Sequence, residues 1–146
     1  MFYGEFNNTV DLKGRASVPA TFRETLQAQA GDESLVVTKA DGGLAAYPAS
    51  VWKKIFDNVM ALPPGPRRVD NLRTRIAPAK ECTFDRQGRI QIPQALREYA
   101  GLEKDIVVVG MGDKVEIWNQ QRHAAATSES EATLREDAQG QADLGF

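Results

Sequence analysis

The chain has 146 residues, 42% apolar and 26% charged, which is enough for one domain or two small ones and excludes a collagen-like, fully disordered or disulfide-scaffold protein. Lysine and arginine number 18 against 20 aspartates and glutamates, a formal charge of -2, so the chain as a whole is not coated in positive charge and bulk charge does not argue for nucleic-acid binding.

In chain order, alternation over Glu5 to Val10 and again over Arg15 to Val18 predicts two short strands joined by the turn Asp11-Leu12-Lys13-Gly14. Pro19 follows. Its missing N–H suits it to a first helical turn, with Phe22 and Leu26 one turn apart on an apolar face and Gly31 beyond the end. Leu35 to Val37 and Leu44 to Tyr47 predict a hairpin around Asp41-Gly42-Gly43. A helix is expected after Ser50 as its cap, with Trp52, Ile55, Phe56 and Val59 on one face. Pro63-Pro64-Gly65-Pro66 interrupts it, and Val69, Leu72 and Ile76 continue helical spacing from Arg67 until Pro78 stops it.

Beyond Pro78 the chain begins again. At an offset of 74, Asp11 aligns with Asp85, Gly14 with Gly88, Arg15 with Arg89, Pro19 with Pro93, Arg23 with Arg97 and Glu24 with Glu98. Val18/Ile92 and Phe22/Leu96 stay apolar in both copies. The register then slips by three residues, so that Leu44 aligns with Val115 and Tyr47 with Trp118, and Ile106 to Val109 and Val115 to Trp118 form the second hairpin. Each repeat is β-β-α-β-β in outline, and the expected class is α+β. The divisions expected are 1–50 for the first repeat, 51–78 for a helical linker hairpin, 79–119 for the second repeat and 120–146 for an acidic polar tail. That tail, rich in Ala, Gln, Ser and Glu, is expected to be disordered or partly helical and to stay out of the core.

Most enzyme readings fail for want of residues. Cys82 is the single cysteine and His123 the single histidine, so an intrachain disulfide or a zinc site of two or more cysteines within one chain is impossible and a Cys-His dyad unconvincing. Cys82, in the alternation Ala79 to Phe84, reads as a small core residue, and His123 as a solvated side chain of the tail. No catalytic, metal or cofactor site and no small-molecule substrate is expected. No apolar run approaches the ~18 residues of a membrane span, and Met1 to Phe6 does not resemble a secretory signal, so a cytoplasmic location is expected.

Charge is unevenly distributed. The tail carries two arginines and five carboxylates, a net of -3, which leaves +1 for residues 1–119. Between Arg67 and Arg89 seven cations face three carboxylates, a net of +4. For Arg67, Arg68, Arg73 and Arg75, a solvated helix face or intersubunit ion pairs serves as well as nucleic-acid contact. The duplicated turns are the better candidates, with Lys13 and Arg15 in one and Arg86 and Arg89 in the other. Gly14 and Gly88 permit positive φ, and Asp11 and Asp85 can accept turn amides or hold the arginine four residues on. Two readings stay open: an ion pair that fixes each turn, or cations presented to phosphate and base edges. One subunit has few such groups, and oligomerisation would multiply them.

Met1-Phe2-Tyr3-Gly4, followed by Asp11-Leu12-Lys13-Gly14-Arg15-Ala16-Ser17-Val18-Pro19 and by Asp85-Arg86-Gln87-Gly88-Arg89-Ile90-Gln91-Ile92-Pro93, resembles the MraZ family of bacterial transcriptional regulators over residues 1 to about 120. The resemblance implies two tandem AbrB-like domains of swapped-hairpin, double-barrel type and ring-shaped homo-oligomers. It also implies nucleoid association, no cofactor, and binding to repeats in promoter DNA of a division and cell-wall gene cluster that includes the regulator's own gene. Lys13, Arg15, Arg86 and Arg89 are the matching DNA-contact positions, and repression is the expected outcome. Lys13 aligns with Gln87 and Leu12 with Arg86, so the two loops differ at their tips. A competing reading is a ring-forming scaffold whose motif arginines make intersubunit salt bridges.

Overall fold

Neither repeat has enough strands to enclose its own helix. In the computed structural model, which describes residues 1–31 and 33–146, the two complete one another. The first repeat contributes β1 (Glu5–Thr9), β2 (Arg15–Ser17), α1 (Ala20–Ala30), β3 (Ser34–Ala40) and β4 (Gly43–Tyr47). The second contributes β5 (Lys80–Thr83), β6 (Arg89–Gln91), α4 (Gln94–Ala100), β7 (Asp105–Gly110) and β8 (Val115–Asn119). Between them run α2 (Ala49–Met60), α3 (Pro66–Asn71) and a π-helical turn (Leu72–Ile76), and after them α5 (Gln120–Arg135) and α6 (Ala138–Leu144).

The strands are exchanged between repeats. A six-stranded antiparallel sheet has the order β1-β7-β8-β4-β3-β5, and β2 pairs with β6 in a separate ribbon. β1 lies on the hairpin of the second repeat, from Glu5 opposite Val109 to Thr9 opposite Asp105. β5 lies on the hairpin of the first, from Ser34 opposite Thr83 to Val37 opposite Lys80. β4 and β8 join the halves at the centre, with Leu44 opposite Ile117. Exchanging the two repeats leaves this order unchanged. Strand pairing crosses the divisions expected at residues 50 and 79, the first of which falls inside α2.

One apolar core fills the space between the sheet and the ribbon. Val18, Phe22, Leu26, Val37, Ile90, Ile92, Leu96, Ile106 and Ile117 are all buried in it. The rings of Phe2 and Phe6 meet Phe22 edge-on at 5.7 and 5.2 Å, tying the N-terminal segment to α1. Pro19 and Pro93 stand one residue before their helices, at φ -52°, ψ 140° and φ -56°, ψ 146°, rather than inside the first turn as expected. There each proline carbonyl accepts the first helical amides, from Phe22 and Arg23 or from Leu96 and Arg97. The missing proline N–H is then outside the helical ladder altogether.

Two helical expectations change. α2 starts at Ala49, after Pro48, so Ser50 lies inside the first turn and makes no capping bond. Of its apolar stripe only Val59 is buried, while Phe56 is exposed. The tail is helical rather than disordered: the Asn119 side chain caps α5 by accepting from Gln121 N and Arg122 N at 2.9 and 3.0 Å. α5 also reaches the protein body, where Ala126 packs on Val107, Val109 and Trp118. His123, expected to be solvated, is half-buried with its ring 6.2 Å from that of Trp118. No helix among the described residues is long and apolar enough to cross a membrane.

Candidate nucleic-acid interface

The ribbon of β2 and β6 brings the duplicated turns together. Arg15 stands opposite Gln91 and Ser17 opposite Arg89, so the segments 11–15 and 85–89 leave the same two-stranded element, related by the repeat exchange. Inside each turn the same four bonds recur. Asp11 N donates to Arg15 O at 3.0 Å and Gly14 N to Asp11 O at 2.9 Å; Asp85 N donates to Arg89 O at 2.8 Å and Gly88 N to Asp85 O at 3.0 Å. Asp11 Oδ1 accepts from the amides of Lys13 and Arg15 at 3.0 and 2.9 Å, and Asp85 Oδ1 from those of Gln87 and Arg89, both at 2.9 Å. These are Asx-type turns, in which a carboxylate replaces a missing backbone acceptor.

The second carboxylate oxygen holds the arginine. Arg15 Nε donates to Asp11 Oδ2 at 2.7 Å and Arg89 Nε to Asp85 Oδ2 at 2.9 Å. The two turns also meet, since Arg89 Nη1 lies 3.9 Å from Asp11 Oδ2. Backbone donation from the arginine amide, more than the guanidinium charge, holds the Asp11 and Asp85 carboxyls below their ordinary value of 3.8. Each turn is therefore fixed by an ion pair that leaves part of its arginine exposed. Each arginine is oriented through Nε, and among the described residues no hydrogen bond occupies Nη1 or Nη2 of Arg15 or Arg89. Their side chains keep 35% and 25% of their surface exposed. Lys13 and Arg86 are exposed, with no ion-pair partner among the described residues.

Arg23 and Arg97 are equivalent at the repeat offset, with no role legible from the sequence. In the structure each braces the other repeat's turn. Arg97 Nε donates to Ile92 O at 3.0 Å and its guanidinium covers Gly14, while Arg23 Nε donates to Val18 O at 3.2 Å and covers Gly88. A Cβ on Gly14 would come within 2.6 Å of Arg97 Nε, and one on Gly88 within 2.5 Å of Arg23 Cζ. Both glycines have positive φ, +84° and +74°, so conformation and close approach each require glycine. Backbone bonds complete the crossing: Ile92 N donates to Gly14 O at 2.8 Å and Val18 N to Gly88 O at 3.1 Å, and Gln91 Nε2 donates to Lys13 O at 3.0 Å. The recurrence of both arginines at the repeat offset was the available signal.

The linker arginines do not gather at these turns. Arg75 is a strut, donating from Nη1 to Lys39 O at 3.1 Å and from Nη2 to Asp41 at 3.2 Å, and the Thr38 hydroxyl takes its carbonyl, which the π-helical turn leaves free. Arg67 and Arg73 are exposed. Burial pushes the Cys82 thiol up to about 11, which suits a core side chain and not a nucleophile. Among the described residues no cluster of three His, Cys, Asp or Glu could hold a metal ion.

Comparison of the sequence with known proteins finds an existing family. The family described as "MraZ protein, putative antitoxin-like" matches residues 1–64 and 76–144. This chain belongs to the MraZ family. An MraZ relative from Syntrophotalea carbinolica is 52% identical over 148 residues, covering 99% of each chain. Others from Leuconostoc mesenteroides and Halothermothrix orenii are 40% and 36% identical, over 99% and 100% of each chain. All three bear the name transcriptional regulator MraZ. The MraZ match extends through the tail, beyond the residue near 120 where the motif resemblance ended.

Proposed function

We propose that this chain is a DNA-binding transcriptional regulator whose contact surface is the pair of turns 11–15 and 85–89. The observation that carries this reading is that two cation-bearing turns, each held by its own aspartate, leave one ribbon side by side. Lys13, Arg15, Arg86 and Arg89 there outnumber Asp11 and Asp85, and the carboxylates are spent on turn amides and on Nε. An arginine oriented through Nε keeps its outer nitrogens for a phosphate or for the O6 and N7 acceptors of guanine. The strand exchange supports reading the fold as a swapped-hairpin double barrel, in which both turns would share one core and keep a fixed spacing.

The target is promoter DNA with short repeats, upstream of a division and cell-wall gene cluster that includes the regulator's own gene, and binding represses it in the nucleoid. Affinity comes from a ring-shaped homo-oligomer that lays several turn pairs along successive repeats, because one subunit offers only four cations at this surface. The half-exposed apolar face of α2, with Phe56 and Met60 uncovered, suits contact between subunits. The rival scaffold reading needs Arg15 and Arg89 for intersubunit pairs, whereas both have carboxylate partners inside their own turns.

Fluorescence anisotropy with the upstream promoter fragment and a scrambled control, repeated over a salt series, tests this. A preference for the promoter and a log-log salt slope of roughly -0.9 per phosphate neutralised are expected. Lys13→Ala and Arg86→Ala, which remove exposed side chains that make no turn bond and leave the backbone bonds in place, should each weaken binding with the assembly intact in light scattering. Equal affinity for both fragments would sink the regulator reading. Loss of assembly in those variants, with affinity per assembly unchanged, would favour the scaffold.

A further inference from the structure

The two turns have the same frame and different tips. Residues 12 and 86 occupy equivalent places, each between an aspartate that accepts two turn amides and a residue whose amide is one of those donors. One tip presents Leu12-Lys13 and the other Arg86-Gln87. Leu12 is 98% exposed, more than any other large apolar side chain among the described residues and more even than the C-terminal Phe146 at 91%. It contributes nothing to the core. The backbone that carries it is held in place, because Asp11 N, Lys13 N and Gly14 N are all bonded within the turn. An exposed apolar side chain on an ordered turn, beside a lysine with no ion-pair partner among the described residues, is suited to a surface that combines phosphate with apolar edges. The major groove of DNA does so, since thymine alone places a 5-methyl group there.

We infer that Leu12 is a base-contacting, specificity-determining residue that takes a thymine 5-methyl, so that the two turns read DNA by different chemistry. Lys13 beside it neutralises phosphate, and at the other tip Arg86 supplies hydrogen-bond donors to a guanine edge. The recognised element then has a direction, with an apolar contact at one end and a donor contact at the other. This rests on the DNA-binding reading above.

The test is a cycle of Leu12→Ala against replacement of thymine by deoxyuridine in the promoter repeats, which removes only the methyl. The wild-type chain should bind the deoxyuridine fragment about 3- to 10-fold more weakly than the thymine fragment. Leu12→Ala should lose a similar factor on thymine DNA, be insensitive to the replacement, and keep the wild-type salt slope and thermal midpoint. Wild-type binding that ignores the replacement, or a Leu12→Ala variant that still senses it, would overturn the role of Leu12 while leaving DNA recognition standing. Absence of any promoter preference in the wild-type chain would instead remove the DNA-binding reading, and this inference with it.

Discussion

Replacing Gly14 by alanine probes the crossing between the repeats more directly than any charge change. Positive φ at +84° costs an alanine about 1–2 kcal/mol. The added Cβ would also lie 2.6 Å from Arg97 Nε and 2.8 Å from the Ile92 carbonyl oxygen, the two atoms of a 3.0 Å hydrogen bond. Arg97 can swing away, but the backbone carbonyl cannot, and a lost hydrogen bond to a charged group costs about 1.5–3 kcal/mol. Together the penalty is about 2.5–5 kcal/mol. Gly112→Ala is the matched control, because its φ is +85° and nothing lies within 4 Å of its Cβ, leaving only the conformational cost. Gly88→Ala should fall between them, since the close atoms there belong to the flexible Arg23 guanidinium. Urea unfolding of the three variants gives the order, and a thermal midpoint should move by roughly 2–4 °C per kcal/mol for a chain of this size. If Gly14→Ala is no worse than Gly112→Ala, the bracing of each turn by the other repeat is wrong.

Because the folded state depresses the Asp11 and Asp85 carboxyls, their contribution is complete well above 3.8 and is lost as pH falls through the lower folded values. Melting curves from about pH 5 downward should lose stability less steeply in an Asp11→Asn/Asp85→Asn variant than in the wild-type chain. The Cys82 thiol shifts the other way: its stabilisation is complete below the ordinary value of 9.0 and fades as pH rises toward about 11. A disulfide reagent at neutral pH should therefore label Cys82 only as fast as the chain opens, and denaturant should accelerate the reaction. Arg122 Nη1 donates to Gly42 O and Tyr99 O at 3.1 and 2.9 Å, so Arg122→Ala should cost about 1–2 kcal/mol and speed amide exchange in α5 ahead of the sheet. Removing residues 120–146 should uncover Trp118 and shift tryptophan emission to the red, and unchanged emission would mean that α5 does not cover that ring.

Much of the site was legible because its bonds are local. Asp11 and Arg15 are four residues apart, and an Asx turn closed by glycine reports itself through residue types and spacing. The repeat doubled that signal at Asp85 and Arg89. Strand positions were legible from alternation, but partners were not: β1 meets β7 about a hundred residues away, and nothing in Glu5 to Thr9 distinguishes that hairpin from the one nearer in the chain. The packing of the tail is non-local in the same way. Its composition has no apolar stripe of its own, yet Ala126 rests on Trp118, Val107 and Val109, and Asn119 caps the first turn.

By itself, then, the sequence determined the two Asp-to-Arg turns and a proline at each helix start, which depend on residues within a few positions of each other, and the duplication with its Leu-Lys against Arg-Gln difference at the tips, which depends on residue identity alone. Only the tertiary structure decided that the repeats exchange strands, that Arg23 and Arg97 cover the opposite turn's glycine, and that the tail forms a helix on the second hairpin. These depend on which apolar faces find each other once the chain closes. A half-sheet with an unpaired edge leaves backbone donors and acceptors without partners. The exchanged arrangement pairs them around one shared core, and in doing so places the two cationic turns side by side.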